Sequence, residues 1–250
     1  MAKRLLLDEL VQQYPEYSRK ELHAMVLCGE VCVSGECLKD PKVRVKAGTR
    51  VSLTPRRFVS RGGEKLEAAL EAWKLPVAGK VFLDAGASAG GFTDCLLRHG
   101  AAQVHAVDVG YNQLDYRLRQ DPRVLVHERT NITSIETLDP PADAAVADLS
   151  FRSLAGVAAR LLGLARDGWC VCLVKPQFEW REPDADFTGV VQDSTRIAAI
   201  VRETLERLWS EGAYTERLMA SPISGRRGNR EFLALLRREP TRRLDDVLAG

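Results

Sequence analysis

The sequence predicts an α/β protein: a parallel sheet covered by helices on both faces, preceded by a small α+β unit over residues 1–54. Three observations carry this. Strand-like and helical segments alternate from Lys80 onward, a glycine-rich loop follows the first of those strands, and the apolar period switches from helical to alternating within the first 54 residues. Alternating strands and helices imply parallel pairing with crossover helices on both faces, and ligands in such sheets collect at the carboxyl ends of the strands. With 250 residues, 45% hydrophobic and 28% charged, the chain is long enough for one or two domains with a sizeable core. Its 19 Gly and 11 Pro exclude a collagenous or largely disordered chain.

Each element has a local reason. Ser18 followed by Glu21 is a capping box, and Leu22, Met25 and Val26 give the helix after it an apolar face ending at Gly29. Beyond Gly29 the period becomes two: Val31 and Val33, a turn at Ser34 and Gly35, then Val43, Val45, Val51 and Leu53. This gives two short helices and a small twisted sheet. Pro55, Arg56 and Arg57 open a basic linker over residues 55–60. Strands follow at 80–84, 104–108, 124–126, 144–148 and 168–174, with helices running through His99 and over 154–165. A long amphipathic segment at 194–209 precedes the last strands at 213–219 and 231–236, and 241–250 is a tail. The larger unit therefore spans 61–240.

Other readings follow from composition. No apolar run approaches the ~18 residues of a membrane span. Asp8 and Glu9 cut the first apolar stretch well short of the roughly 7–15 residues of a signal peptide. The chain reads as cytoplasmic, with no membrane partner. Cys28, Cys32 and Cys37 cluster, but with only His23 nearby and no CxxC they do not make a zinc site, so the six cysteines read as reduced thiols. Net charge is only +2, yet eight basic residues stand against one acid, Glu64, between Lys42 and Lys65. A second patch, Arg226, Arg227 and Arg230, lies in a glycine-rich loop. Clustered Lys and Arg are the footprint of a polyanion binder, or else a solvated face.

The first strand of the larger unit runs into DAGASAGGFTD, Asp84 to Asp94. Gly86, Gly90 and Gly91 allow a tight turn and close approach of the backbone to a ligand. The second strand ends in Asp108, placed to accept hydrogen bonds from ribose hydroxyls. The G-x-x-x-G-G pattern behind an acid fits S-adenosylmethionine better than a dinucleotide, which would call for G-x-G-x-x-G. Four charged residues border apolar strands on the same edge: Lys65, Asp148, Lys175 and Glu231.

These residues carry two resemblances. SRKELHAMVLCGEVCVSGE is similar to the small RNA-binding domain named after ribosomal protein S-four, whose second helix and hairpin form a basic RNA-contacting surface. Across nearly the whole chain, SRGGEKL, LDAGASAGGFTD, AVDVGYNQL, ERTN, ADLSF, LVKPQFE and GNREF resemble, in order, the TlyA-like RNA 2′-O-methyltransferases. That family joins the RNA-binding module to an FtsJ-like, Rossmann-like methyltransferase sheet. It methylates cytidine ribose in ribosomal RNA with S-adenosylmethionine, and some members were first named haemolysins.

The resemblance implies a catalytic set of Lys65, Asp148, Lys175 and Glu231. In it, Lys175 takes the ribose proton, its pKa lowered by the charges of Lys65 and the sulfonium. Asp148 orients that amine, and Glu231 balances Lys65. It also implies cofactor contacts from Asp84, Gly86, Ala87, Ser88, Gly90, Gly91 and Phe92, with Asp108 on the ribose and Asn131 near the adenine. RNA contacts are implied for Arg19, Lys20, Arg56, Arg57, Arg61, Arg226 and Arg227, with ribosomal RNA or ribosomal subunits as partner. Phe178 or Trp180 either stacks on a base or serves as core or lid. Two departures stand out. Ala89 replaces a threonine of the family loop, and ADFTGVVQDST keeps Gly189, Val190, Val191 and Asp193 but lacks a glycine and a basic residue. The competing readings are an RNA-binding protein with a degenerate transferase domain, and a haemolysin. The tetrad is complete and no spanning segment is read, so the transferase reading leads.

Overall fold

The computed structural model describes residues 3–54, 57–150, 152–183 and 187–248, with Arg226 entering by its backbone alone. The first unit runs β1 (Lys3–Leu5), α1 (Leu6–Gln13), α2 (Arg19–Leu27), β2 (Val31–Val33), β3 (Glu36–Leu38), β4 (Arg44–Lys46) and β5 (Val51–Leu53). The capping box forms: Glu21 N–H donates to Ser18 Oγ at 3.3 Å, and Ser18 N–H to the Glu21 carboxylate at 2.7 Å. Ser34 and Gly35 both take positive φ, so β2 and β3 close as a two-residue hairpin with β5 on the other side of β2. The β1–β4 pair was not legible in the sequence, because three residues are too few to show a period. Leu6, Leu10, Leu22, Val26, Val31 and Val51 form this unit's own core.

The structure corrects one expectation. Cys32 and Cys37 are not free thiols; they oppose each other across the β2–β3 hairpin and form a disulfide. The two-residue turn sets the register that makes them cross-strand neighbours. Cys28, Cys95, Cys170 and Cys172 are free and buried. The side chain of Cys28 bonds to Asp115, away from the pair.

The larger unit continues as α3 (Gly62–Trp73), β6 (Val81–Ala85), α4 (Gly91–Arg98), β7 (Gln103–Val107), α5 (Tyr116–Gln120), β8 (Val124–His127), β9 (Ala144–Ala147), α6 (Ala158–Leu164), β10 (Trp169–Val174), α7 (Pro176–Glu179), α8 (Ser194–Ser210), β11 (Tyr214–Ala220), β12 (Phe232–Arg237) and α9 (Leu244–Leu248). Its seven strands are ordered β11-β12-β10-β9-β6-β7-β8. The five strands from β10 to β8 are parallel, as the alternation predicts, but β12 runs antiparallel to both neighbours. The reason is the connection: β11 returns to β12 through a short loop with no crossover helix, which only antiparallel pairing permits.

Side chains alternate between two cores. Phe82, Val146, Val171 and Leu235 face α3 and α4, whereas Leu83, Ala147, Cys172 and Leu236 face α6 and α8. Chain order reverses between β6 and β9, which opens the crevice where ligands of such sheets bind. The helix α3 had no strand-like partner to flag it in the sequence, yet it brings Lys65 onto this edge. No helix among the described residues is long and apolar enough to cross a membrane.

Candidate active site and cofactor loop

The turn after β6 is built from backbone. Gly86 and Ala87 N–H both donate to Val107 O, at 2.8 and 3.1 Å. Gly86 has φ +80°, and a Cβ there would lie 2.7 Å from Asp148 O, so only glycine lets β6 pass this close to β9. Gly90, at φ +92°, opens α4, and its missing Cβ would meet Leu118 Cδ1 at 2.2 Å. Asp108 is fixed from both sides, since Ser88 N–H donates to Oδ2 at 2.8 Å and Gly110 N–H to Oδ1 at 2.6 Å. A carboxylate offers about four lone-pair sites, so capacity remains for ribose hydroxyls.

Asp84 is fully buried at the floor of the loop. Thr93 Oγ1 donates to its Oδ2 at 2.6 Å, while Oδ1 is buried with no hydrogen-bond partner among the described residues. Burial pushes its carboxyl up to about 7; the Thr93 bond lowers it, and the charges of Asp148 and Asp108 raise it. Three carboxylates thus converge around one loop, one of them with an unsatisfied oxygen. That donor set suits a cationic ligand bearing ribose hydroxyls, which is the chemistry of S-adenosylmethionine.

Other predicted loop residues are placed differently. Gly91 faces the start of α3, where a Cβ would lie 2.9 Å from Gly63 N, and Phe92 is 3% exposed within the core. What these two present to the loop is backbone. Ala87 is also buried, and Ser88 is exposed with its hydroxyl on Gln113. Asn131 caps the turn that follows it, its Oδ1 accepting from Thr133 N–H and Oγ1.

The four charged residues come together as two ion pairs. Lys65 Nζ lies 2.5 Å from Glu231 Oε2, both side chains nearly buried. Lys175 Nζ lies 2.6 Å from Asp148 Oδ1 and donates to Ser150 Oγ at 3.2 Å. Strand register explains the convergence. Val174 pairs with Phe232, so Lys175 leaves β10 beside the point where Glu231 enters β12. Asp148 follows β9 on the neighbouring strand, its N–H on Ala85 O. Glu231 is hemmed in by Gly225, where a Cβ would lie 2.1 Å from Oε1.

Ser150, Thr93 and Asn229 are site residues that sequence reasoning missed. Asn229 Oδ1 accepts from Val191 N–H, and its Nδ2 donates to Gly189 O, tying the departing loop to the segment before β12. Ser150 and Asn229 stand within ADLSF and GNREF, so those strings held the signal. Trp180 packs against Phe187 and the α8-side core, and the Lys175 ammonium lies over the Phe178 ring at 5.6 Å.

Of the basic residues, Lys20 and Arg61 are exposed, and Arg19 is exposed while paired with Asp8 at 2.8 Å. Arg57 pairs with Glu67 at 2.7 Å, and Arg227 donates to Thr188 O at 3.2 Å. Arg56 and the Arg226 side chain lie outside the described residues.

A sheet of this order, with an acidic loop at its switch point and paired lysines and carboxylates beside it, defines an α/β methyltransferase domain. The FtsJ-like methyltransferase family matches residues 58–238. The 16S/23S rRNA (cytidine-2′-O)-methyltransferase TlyA of Mycobacterium tuberculosis is 43% identical, over 98% of this chain and 94% of that protein. Hemolysin A of Brachyspira hyodysenteriae is 37% identical, over 91% of this chain and 98% of its own length. A solved structure from Streptococcus thermophilus that carries the hemolysin name aligns at TM-score 0.72 and 35% identity, covering 100% of this chain and 95% of that one. The chain belongs to the FtsJ-like methyltransferase family, in its TlyA-like branch.

Proposed function

We propose that this protein transfers a methyl group from S-adenosylmethionine to cytidine ribose 2′-hydroxyls of ribosomal RNA. The observation that carries the reading is two lysine–carboxylate contacts, the buried Lys65–Glu231 and the partly exposed Lys175–Asp148, on the strand edge beside the acidic loop. The TlyA relative named for this activity is similar over almost the whole chain.

Asp84, Asp108 and the 86–90 backbone hold the methyl donor, and the orphaned Asp84 oxygen fits its ammonium. When bound, the donor supplies an electrophilic methyl next to a sulfonium. The chain's own residues do the rest. A ribose hydroxyl is a poor nucleophile at neutral pH; Lys175, having first released the proton of its ion pair to solvent and so standing as the neutral amine, takes the hydroxyl proton as the oxygen attacks. Asp148 Oδ1 stabilises the ammonium this creates on Lys175, and Ser150 fixes the direction of the amine. Lys65, neutralised by Glu231, holds the hydroxyl oxygen, and much of the rate comes from holding nucleophile and methyl in line. The target nucleotide has to leave its stack to reach this edge.

In this reading residues 1–54 grip RNA, 55–60 link and 61–240 catalyse; the tail expected after 240 instead forms α9, whose Leu244, Val247 and Leu248 pack onto the larger unit. The substrate is ribosomal RNA, either free or within ribosomal subunits, in the cytoplasm. The test is transfer of labelled methyl to purified ribosomal subunits and to naked RNA. Label at one site that resists alkaline cleavage supports the reading. Donor bound with no transfer to any of these substrates would leave an RNA-binding protein without catalysis.

A further inference from the structure

The first unit does not hang free of the cofactor loop. Its Glu30 is 3% exposed, and Arg117 of the larger unit reaches it with Nη2 at 3.0 Å from Oε1. Arg117 also pairs with Asp115, Nε to Oδ1 at 3.3 Å, and Cys28 Sγ donates to the same oxygen at 3.2 Å. Asp115 in turn touches the loop directly, its N–H donating to Ala89 O at 3.1 Å. On either side of it, Leu114 and Leu118 fill the space where Gly90 lacks a side chain. The short helix α5 is thus clamped between the first unit and the turn that opens α4.

The energetics make this more than proximity. Glu30 is a buried carboxylate whose partner comes from the other unit, so parting the two leaves a buried charge unpaired. With five residues, α5 has too few internal hydrogen bonds to set its own position; its neighbours set it. A shift in how the first unit docks is therefore a shift at Ala89 and Gly90.

We propose that Asp115 and Arg117 are positioning residues for the cofactor loop, and that through them RNA held by the first unit and S-adenosylmethionine held by the loop bind cooperatively. This rests on the reading that the loop holds the donor. Linkage makes the effect reciprocal.

The test uses full-length protein and S-adenosylhomocysteine, the product that binds without transferring. Its affinity is measured by equilibrium dialysis with and without saturating ribosomal subunits. The wild type should bind about 5-fold tighter or more with subunits present. Glu30→Gln and Arg117→Gln should each lose that gain, and the double variant should lose no more than either single, as expected for one shared contact. Asp115→Asn keeps a capping side chain for α5 and should weaken product binding even without RNA. A merely structural role would lower the melting temperature while leaving the ratio of the two affinities intact. Variants with the wild-type ratio, or a wild type indifferent to subunits, would overturn the proposal. A wild type that binds no product at all would instead remove the reading of the loop on which it stands.

Discussion

Lys175 Nζ sits 2.6 Å from Asp148 and 3.2 Å from Ser150 Oγ, side chains that are not part of the glycine turn. Lys175→Ala should therefore lower methyl transfer by about 10²–10⁴-fold, the range of a positioned base, with donor affinity little changed. Single-turnover transfer beside a binding isotherm checks both parts. Asp84 gives a second outcome. Its folded-state carboxyl is raised from 3.8 to about 7 by burial, so the native state binds that proton more tightly than the unfolded chain. Its contribution favours the fold at low pH and is lost as pH rises toward about 7, since stability falls with pH wherever the native state holds more protons. Asp84→Asn should flatten that fall in thermal melts of the ligand-free protein and weaken donor binding. At this scale the four charged residues were legible, because each borders an apolar run. Ser150 and Thr93 were not, because a hydroxyl in a sequence carries no sign of whether a lysine or a buried carboxylate lies opposite.

Elements place these residues, and α3 does so by close packing. A Cβ on Gly63 would lie 2.3 Å from Phe58 Cγ and 2.6 Å from its Cβ, too near the backbone for the ring to swing clear. Gly63→Ala should cost about 1–3 kcal/mol of stability, as overpacking does, and pull Lys65 away from Glu231. A lowered melting temperature together with reduced transfer at saturating donor is the expected pair of results. In the first unit, Ser18→Ala removes one half of the capping box and should cost about 1 kcal/mol, read in denaturant unfolding. That box, the Ser34 and Gly35 turn and the strands of the sheet were readable because each rests on a local rule. The helix expected over 154–165 is shorter in the structure: it forms only over Ala158–Leu164, because Gly156 just ahead of it takes a left-handed φ of +74° that no right-handed helix can include.

Over the whole molecule, charge and connection matter together. Exposed Arg19 and Lys20 lie on the first unit, so replacing both with Ala should weaken RNA binding and reduce its salt slope, by roughly 0.7–0.9 for each phosphate left without its cation. A titration of affinity against salt concentration reads this directly. Arg57 of the basic run and Arg227 of the second patch are committed to Glu67 and Thr188, so the two basic patches counted in the sequence are only in part a free surface. The sequence by itself determined the alternating sheet, the glycine-rich acidic loop, the family resemblance and the four charged residues that border apolar runs, though Lys65 stands in α3 and not at a strand end. All of these depend on neighbours within a few residues or on strings kept in order. The tertiary structure alone decided that those four charges form two pairs, that Cys32 bonds Cys37, that β12 enters antiparallel beside β10, and that Glu30 meets Arg117. Each of these joins elements whose meeting depends on register, turn geometry and packing direction, and a one-dimensional pattern does not encode which of many possible partners a side chain finally faces.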